Sequence, residues 1–293
     1  MVLEHVAARS GRLSSFLKEE MAVSTGLMNR LKWIGAILVN GQPQHTDYAV
    51  QPGDRIALVL DEPEPDYPAE DGALTVLYED AHLLAVDKPS GMLIHPSRSC
   101  NTGTLANFVA GYFQRTGQKS AFHPVTRLDR DTFGIVLLAK NSHIHRLMQT
   151  AETEKIYHAV VCGAPQESEG VIDAPIARKP LPSLLRMVSP EGKPSVTRFE
   201  VMERLGQFTK LRLQPVTGRT HQLRVHCAYM GFPILGDPQY GDDRSKADSM
   251  RLGVESQLLC AAELYFIHPV TGEEMALKSS LDVFLPKENM KEP

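Results

Sequence analysis

Hydrophobic positions fall into short blocks along the chain, and their period changes from block to block. In RLSSFLKEEM, Leu13, Phe16 and Leu17 share one helical face, and in LMNRLKWIG, Leu27, Leu31 and Ile34 do the same. Gly35 suits the cap that ends the second helix. AILVNGQPQ reads as a strand entering an Asn40-Gly41 turn, a strong hairpin signal. Pro52-Gly53-Asp54 makes a second turn before the strand RIALVL. Residues 61–73, which begin DEPEPDYPAEDG, carry proline and acid with little to bury, the composition of a linker. Beyond them LTVLYED, HLLAVDKP, FGIVLLAK, IYHAVVCG, SVTRFEVMERL, FTKLRLQPV, QLLCAAELYFIHP and EEMALKSSL read as strands. TLANFVAGYFQ, SHIHRLMQTAE and THQLRVHCAYMG read as helices. Many strands with few interspersed helices predict an α+β fold on an extensive mixed, mostly antiparallel sheet. The expected organisation is a small N-terminal α/β domain over 1–60, an acidic Pro-rich linker over 61–73 and a large domain over 74–293.

A chain of 293 residues, 42% of them hydrophobic, supports one large core and an accessory domain, not several full-size domains. The formal net charge is −4. A protein that coats nucleic acid through bulk charge would be basic, so any RNA contact must rest on local patches. Cys100, Cys162, Cys227 and Cys260 form no C-x-x-C pair and join no histidine at zinc spacing. That argues against a metal or a disulfide framework and for reduced thiols. No stretch approaches the roughly 20 apolar residues of a membrane span, and the start MVLEHVAARSGRL has no long apolar run. A cytoplasmic monomer with no membrane partner is expected.

The densest chemical cluster is HPVTRLDRDTFG, residues 123–134. Arg127 and Arg130 flank Asp129, Asp131 follows, and the run enters an apolar strand at Gly134. A loop seated on a buried strand holds its side chains rigidly, and arginines are natural phosphate ligands. A surface turn laced with weak Arg–Asp pairs has the same charge pattern. In PVTGRTHQLRVH, residues 215–226, Gly218 and Thr220 lead into a helix whose start carries Arg219, His221 and Arg224. Cations at a helix N-terminus favour an anionic ligand; the plainer reading is an amphipathic helix with a polar face. Tyr157 opens a strand beside Lys155, where a tyrosine alone is usually core. The stretch 177–194, with Arg178, Lys179, Arg186 and Lys193 among prolines, fits either a solvated loop or a hairpin that grips RNA. His95-Pro96 follows the turn of DKPSG and forms a further edge loop.

Taken in order, these segments resemble the RluA family of pseudouridine synthases. The family's core motif, H-R-L-D-x-D-T-S-G, is similar to Thr126-Arg127-Leu128-Asp129-Arg130-Asp131-Thr132-Phe133-Gly134. The resemblance continues through Asp87-Lys88-Pro89, His95-Pro96, Lys155-Ile156-Tyr157, Thr217-Gly218-Arg219-Thr220-His221-Gln222, Leu235-Gly236-Asp237 and Phe266-Ile267-His268-Pro269, and covers roughly residues 74–282. Residues 1–60 resemble the small RNA-binding domain often fused ahead of such enzymes, through Gly35, Ile37, Val39-Asn40-Gly41 and Pro52-Gly53-Asp54. Thr126 stands where histidine is usual, Phe133 where serine is usual and Cys260 where an L-H-A motif has histidine. Ser24-Thr25-Gly26 lacks the arginine often found at that helix start.

The resemblance implies an isomerase that converts uridine to pseudouridine in structured RNA, with no cofactor and no metal. Large-subunit ribosomal RNA is the first expectation, as part of rRNA processing, and tRNA the second. By resemblance Asp129 is the essential carboxylate, which attacks the ribose anomeric carbon, abstracts a ribose proton to give a glycal, or adds to the base. Arg219 pairs with Asp129 and aims it. Tyr157 stacks on the base and takes the proton from carbon 5. Arg127 fills the gap left by the flipped uridine or holds its phosphate. His95, Thr220 and His221 bind substrate at the rim, and Leu235 forms part of an apolar floor. Two other readings are a catalytically silent RNA-binding or ribosome-assembly factor and a small-molecule nucleoside hydrolase. Retention of Asp129, Tyr157 and Arg219 speaks against the first, and the small domain with its basic loops against the second.

Overall fold

Residues 2–286 are described by a computed structural model; Met1 and residues 287–293, the end of the large domain expected above, lie outside the described residues. The N-terminal part contains β1 (Val2–Val6), β2 (Gly11–Arg12), α1 (Leu13–Glu19), α2 (Thr25–Trp33), β3 (Ile37–Val39), β4 (Gln42–Pro43), β5 (Ala49–Val50) and β6 (Arg55–Val59). The Ser24 hydroxyl oxygen accepts the Leu27 N–H and so starts α2. Asn40 and Gly41 both have positive φ, 50° and 80°, as the tight turn between β3 and β4 requires. The strands form a sheet in the order β1-β6-β3-β4. Its apolar face meets the helical stripe of Leu13, Phe16, Leu17 and Leu31, giving a core that runs from Leu3 to Leu60. β1 carries no clear alternation in sequence and is set by its pairing with β6.

The larger part contains β7 (Thr75–Glu79), β8 (Leu83–Lys88), α3 (Leu105–Arg115), β9 (His123–Pro124), β10 (Phe133–Ala139), α4 (Ser142–Thr150), β11 (Thr153–Cys162), β12 (Glu169–Asp173), β13 (Ile176–Arg178), β14 (Arg186–Val188), β15 (Val196–Leu205), β16 (Phe208–Pro215), α5 (Gln222–Tyr229), α6 (Asp243–Leu252), β17 (Leu259–Ile267) and β18 (Glu274–Lys278). Ten of these strands form one sheet, ordered β12-β15-β16-β11-β17-β10-β8-β7, with β18 on β17 and β9 on β10. Its pairings are antiparallel except for β10 with β17, where Phe133 faces Cys260 and Gly134 faces Ala261. The fold is therefore α+β on a mixed, mostly antiparallel sheet.

Strand alternation sorts the helices onto two faces. Leu83, Ala85 and Leu137 pack with Ile144 and Met148 of α4. Their neighbours Leu84, Val86, Val136 and Leu138 pack with Leu105, Val109 and Phe113 of α3. β8 and β10 are covered on both sides, which is why they read as unbroken apolar runs. Farther along, Ala159 and Val161 meet Leu223 and Cys227 of α5, while Val160 and Cys162 face the opposite cluster with Leu235 and Leu252. α6 buries only Ser245 and Ser249, so its sequence shows no apolar stripe; Asp242 caps it through the Ser245 N–H.

Residues 61–72 form no helix or strand, yet they are bound along their length. Glu62 accepts the Ser142 N–H and hydroxyl at 2.8 and 2.9 Å and meets His123 Nε2 at 3.0 Å. Tyr67 packs against the α3 cluster. The Pro68 carbonyl accepts from the Asn107 amide, and Glu70 takes the Gly103 N–H. The Glu70 backbone also lies on Gly111, where a Cβ would come within 1.9 Å of the Glu70 carbonyl oxygen.

Candidate active site

Asp129 lies on the loop between β9 and β10. That loop is fixed from three sides. Thr126 is buried, and its hydroxyl oxygen accepts the Leu137 N–H at 2.9 Å. The residue that departs from the family pattern here thus ties the loop to β10. From below, the fully buried Lys88 donates to the carbonyls of Pro89, Met92 and Arg130 at 2.8, 2.9 and 2.7 Å. Three ammonium protons meet three acceptors. Burial pulls the Lys88 pKa down to about 8, against the opposing charges of Asp131 and Asp129. At the far end Gly134 has φ 102°, and a Cβ there would lie 2.4 Å from the Ala261 carbonyl oxygen. Only glycine allows β10 to meet β17 at this point.

The partner of Asp129 is Arg224. Its Nη1 donates to Asp129 Oδ2 at 3.0 Å. The same guanidinium forms a bidentate pair with Asp237, Nε to Oδ2 at 2.7 Å and Nη2 to Oδ1 at 2.8 Å, and Nη2 also reaches Gln239 Oε1 at 2.9 Å. Arg224 is 5% exposed in its side chain and Asp237 1%, whereas Asp129 is 29% exposed. Burial would depress the Arg224 pKa, but the hydrogen bonds and charge of Asp237, then Asp129, raise it. The outcome is a fixed cation with one buried counter-ion and one partly exposed carboxylate. Asp237 further accepts the Gln239 and Tyr240 N–H groups, which folds the segment after Gly236 around the pair.

This corrects the expected role of Arg219. Arg219 is exposed, and its Nε donates to the Pro194 carbonyl at 3.2 Å. It belongs to the turn before α5, which Gln222 fastens by accepting from the Arg219 N–H and Thr217 hydroxyl. A signal for Arg224 was present. In QLRVHCA an arginine sits inside an apolar helical run, and a buried guanidinium requires a carboxylate. Asp237, in the Leu235-Gly236-Asp237 motif, supplies it.

The other expected residues divide into groups. His221, at the N-cap of α5 with φ 58°, places Nε2 3.9 Å from Asp129 Oδ1 and Nδ1 2.8 Å from the Tyr240 hydroxyl. Burial lowers its pKa, partly offset by Asp129. Tyr157 lies where β11 slips register against β17 and pairs with Ala261, the residue that faces Gly134 on the other side. A bulge of this kind re-aims a side chain. Burial, then the Asp129 charge, raises the Tyr157 pKa, so it is a neutral phenol at neutral pH and takes a proton only if it passes its own on. Arg127 and Thr220 are exposed, and His95 stands edge-on to Phe122 at 4.9 Å. Leu235 is 0% exposed and packs with Val160 and Cys260, so it supports the wall and offers no surface to a ligand. The basic stretch is the β13–β14 hairpin, anchored where the Arg186 N–H donates to the Tyr240 hydroxyl at 2.9 Å.

The sequence pattern of the family described as RNA pseudouridylate synthase matches residues 82–229, which include Asp129, Tyr157 and Arg224. The chain belongs to this RluA-type family. An uncharacterized RNA pseudouridine synthase of Bacillus subtilis (strain 168), YlyB, is 39% identical over 85% of this chain and 84% of its own length. A ribosomal large subunit pseudouridine synthase C of Vibrio cholerae is 32% identical over 94% of this chain and 90% of its own. Among solved structures, human RNA pseudouridylate synthase domain containing 1 superposes with a TM-score of 0.59 and 27% identity, covering 74% of this chain and 88% of that one. As an RNA pseudouridine synthase the chain is an isomerase that acts on RNA. Among the described residues, no group of three or more His, Cys, Asp or Glu side chains is placed to hold a metal ion, and no helix is long and apolar enough to cross a membrane.

Proposed function

We propose that this RNA pseudouridine synthase modifies uridines of large-subunit ribosomal RNA, with Asp129 as the reacting carboxylate. The observation that carries the assignment is the division of labour around Arg224. Asp237 neutralises the arginine in the core, and the arginine then holds Oδ2 of Asp129 at 3.0 Å. Oδ1 is left for chemistry. In the reaction the bond from ribose carbon 1′ to uracil N1 breaks and a bond to carbon 5 forms. The carbon 5 proton leaves and N1 gains one, so there is no net redox change. A carboxylate aimed by a fixed cation suits an electron-poor sugar or base. Tyr157 stacks on the uracil, and Arg127 and the β13–β14 hairpin hold the backbone of the flipped nucleotide. Residues 1–60 form the RNA-binding domain, and the enzyme works as a cytoplasmic monomer. The relatives named ribosomal large subunit pseudouridine synthase C, which align with 94% of this chain, favour ribosomal RNA.

Asp129→Asn is expected to bind RNA as the parent does and to release no tritium from carbon-5-labelled uridine RNA. Substantial pseudouridine formation by that variant removes Asp129 from the chemistry. Mapping pseudouridines in ribosomal and transfer RNA of a deletion strain, against its parent, identifies the target; an unchanged ribosomal map rules out the ribosomal assignment.

A further inference from the structure

We infer that Tyr240 is a positioning residue that joins the β13–β14 hairpin to Asp129 by fixing which nitrogen of His221 carries its proton. The Tyr240 hydroxyl lies between two partners. It accepts the Arg186 N–H at 2.9 Å, and it stands 2.8 Å from His221 Nδ1. The tyrosine itself is held in place. Its backbone N–H donates to Asp237 Oδ1 at 3.1 Å, and the Arg224 guanidinium lies 5.0 Å from the centre of its ring. The turn closes just beyond, where a Cβ on Gly241 would come within 2.6 Å of the Asp237 carbonyl oxygen. His221 is held as well, at the left-handed N-cap of α5, with its ring edge-on to Tyr240 at 5.7 Å.

Two contacts choose the tautomer. A phenol has one proton to give. The Arg186 N–H takes a lone pair of the hydroxyl oxygen, and among the described residues the acceptor beside that hydroxyl is His221 Nδ1. The opposite nitrogen, Nε2, lies 3.9 Å from Asp129 Oδ1. A bare Nε2 would set its lone pair against a carboxylate oxygen, whereas a protonated one sets an N–H there. Both contacts select the Nε2–H form. At 3.9 Å the N–H approaches Oδ1 without bonding to it, so it is a donor held ready for Oδ1 or for a ribose drawn in beside it. Burial lowers the His221 pKa; Asp129 opposes this, Arg224 and Arg186 reinforce it, and Asp237 opposes it, which leaves the ring neutral at neutral pH. Arg186 opens β14, on the hairpin proposed to hold the RNA backbone. The place of the hairpin thus bears on the reacting oxygen through one phenol and one imidazole.

The inference rests on Asp129 as the reacting carboxylate. The full chain, its histidines labelled with heavy nitrogen, is read by NMR at neutral pH. The His221 signals are identified by their loss in His221→Asn, since asparagine tolerates the left-handed backbone there. The parent should show a bare Nδ1 and a protonated Nε2. A protonated Nδ1, or an even mixture of the two forms, overturns the assignment. Tyr240→Phe keeps the ring and removes the hydroxyl. Its His221 signals should move toward the mixture of tautomers, and unchanged signals overturn the role of Tyr240. The same variant should lose about 10- to 100-fold in single-turnover rate at saturating RNA. If Tyr240 did no more than anchor the hairpin, RNA affinity would fall and the saturated rate would stay, and that result overturns the inference. The spectra are read without turnover, whereas Asp129→Asn reports on the chemistry, so the tautomer and the carboxylate assignment fail separately.

Discussion

Arg224 serves two carboxylates with one guanidinium, and they are not equivalent. The Asp237 side chain is 1% exposed, whereas that of Asp129 is 29% exposed. Replacing Arg224 by methionine leaves Asp237 buried and unpaired, a change that typically costs about 3–5 kcal/mol. Arg224→Met should therefore lower the urea midpoint sharply and abolish turnover. Arg219→Ala should leave the urea midpoint and the single-turnover rate near the parent values, because among the described residues its guanidinium bonds to a loop carbonyl and not to Asp129. Equal damage from the two variants would contradict the geometry. At this scale the sequence singled out Asp129, but the guanidinium bonded to it is that of Arg224 and not the expected Arg219. Arg219 and Arg224 lie five residues apart in one motif, and nothing in their spacing says which faces inward. The left-handed backbone at His221 decides it, by turning the chain before α5 so that Arg219 stays outside.

Among elements, the controlling contact is Lys88 beneath the Asp129 loop. Its folded pKa, about 8, lies below the ordinary lysine value of 10.5. Below about pH 8 the amine is charged in both folded and unfolded chains. Between about 8 and 10.5 the unfolded chain holds more protons at this position, so its contribution to stability rises with pH. The unfolding free energy of the parent, compared with Lys88→Met from pH 7 to 10.5, should shift in favour of the parent as pH rises. A constant difference would show that the lysine titrates normally. The strands and helices around this loop were largely legible, because β8 and β10 are apolar runs and α3 and α4 have clear stripes. α6 was not, since it packs through serines, and β1 was not, since its partner lies some fifty residues away at β6.

For the whole molecule, the acidic segment after residue 60 belongs structurally to the larger part. A chain beginning at residue 61 keeps Glu62, Tyr67 and Glu70 in place, whereas one beginning at residue 73 loses them. The second truncation should melt roughly 5–15 °C below the first, taking about 2–4 kcal/mol of lost contacts at ~2–4 °C each. Calorimetry on the two chains tests this, and equal melting temperatures would mean that the contacts add nothing. Composition alone reads the segment as a free linker, because proline and acid predict no core. It does not reveal that the acids are acceptors for Ser142 and Gly103. Leu60 is the last buried residue of the small core, and Glu62 is already bonded to the other domain, so only Asp61 lies between. If residues 1–60 bind RNA as proposed, the two parts act as the fixed jaws of a caliper. A tether without slack narrows the spans that both jaws can engage at once. Inserting six Gly/Ser residues after Asp61 should widen the set of uridines modified in mapped RNA, with the chemistry at Asp129 untouched. Target choice then becomes partly a measurement of length.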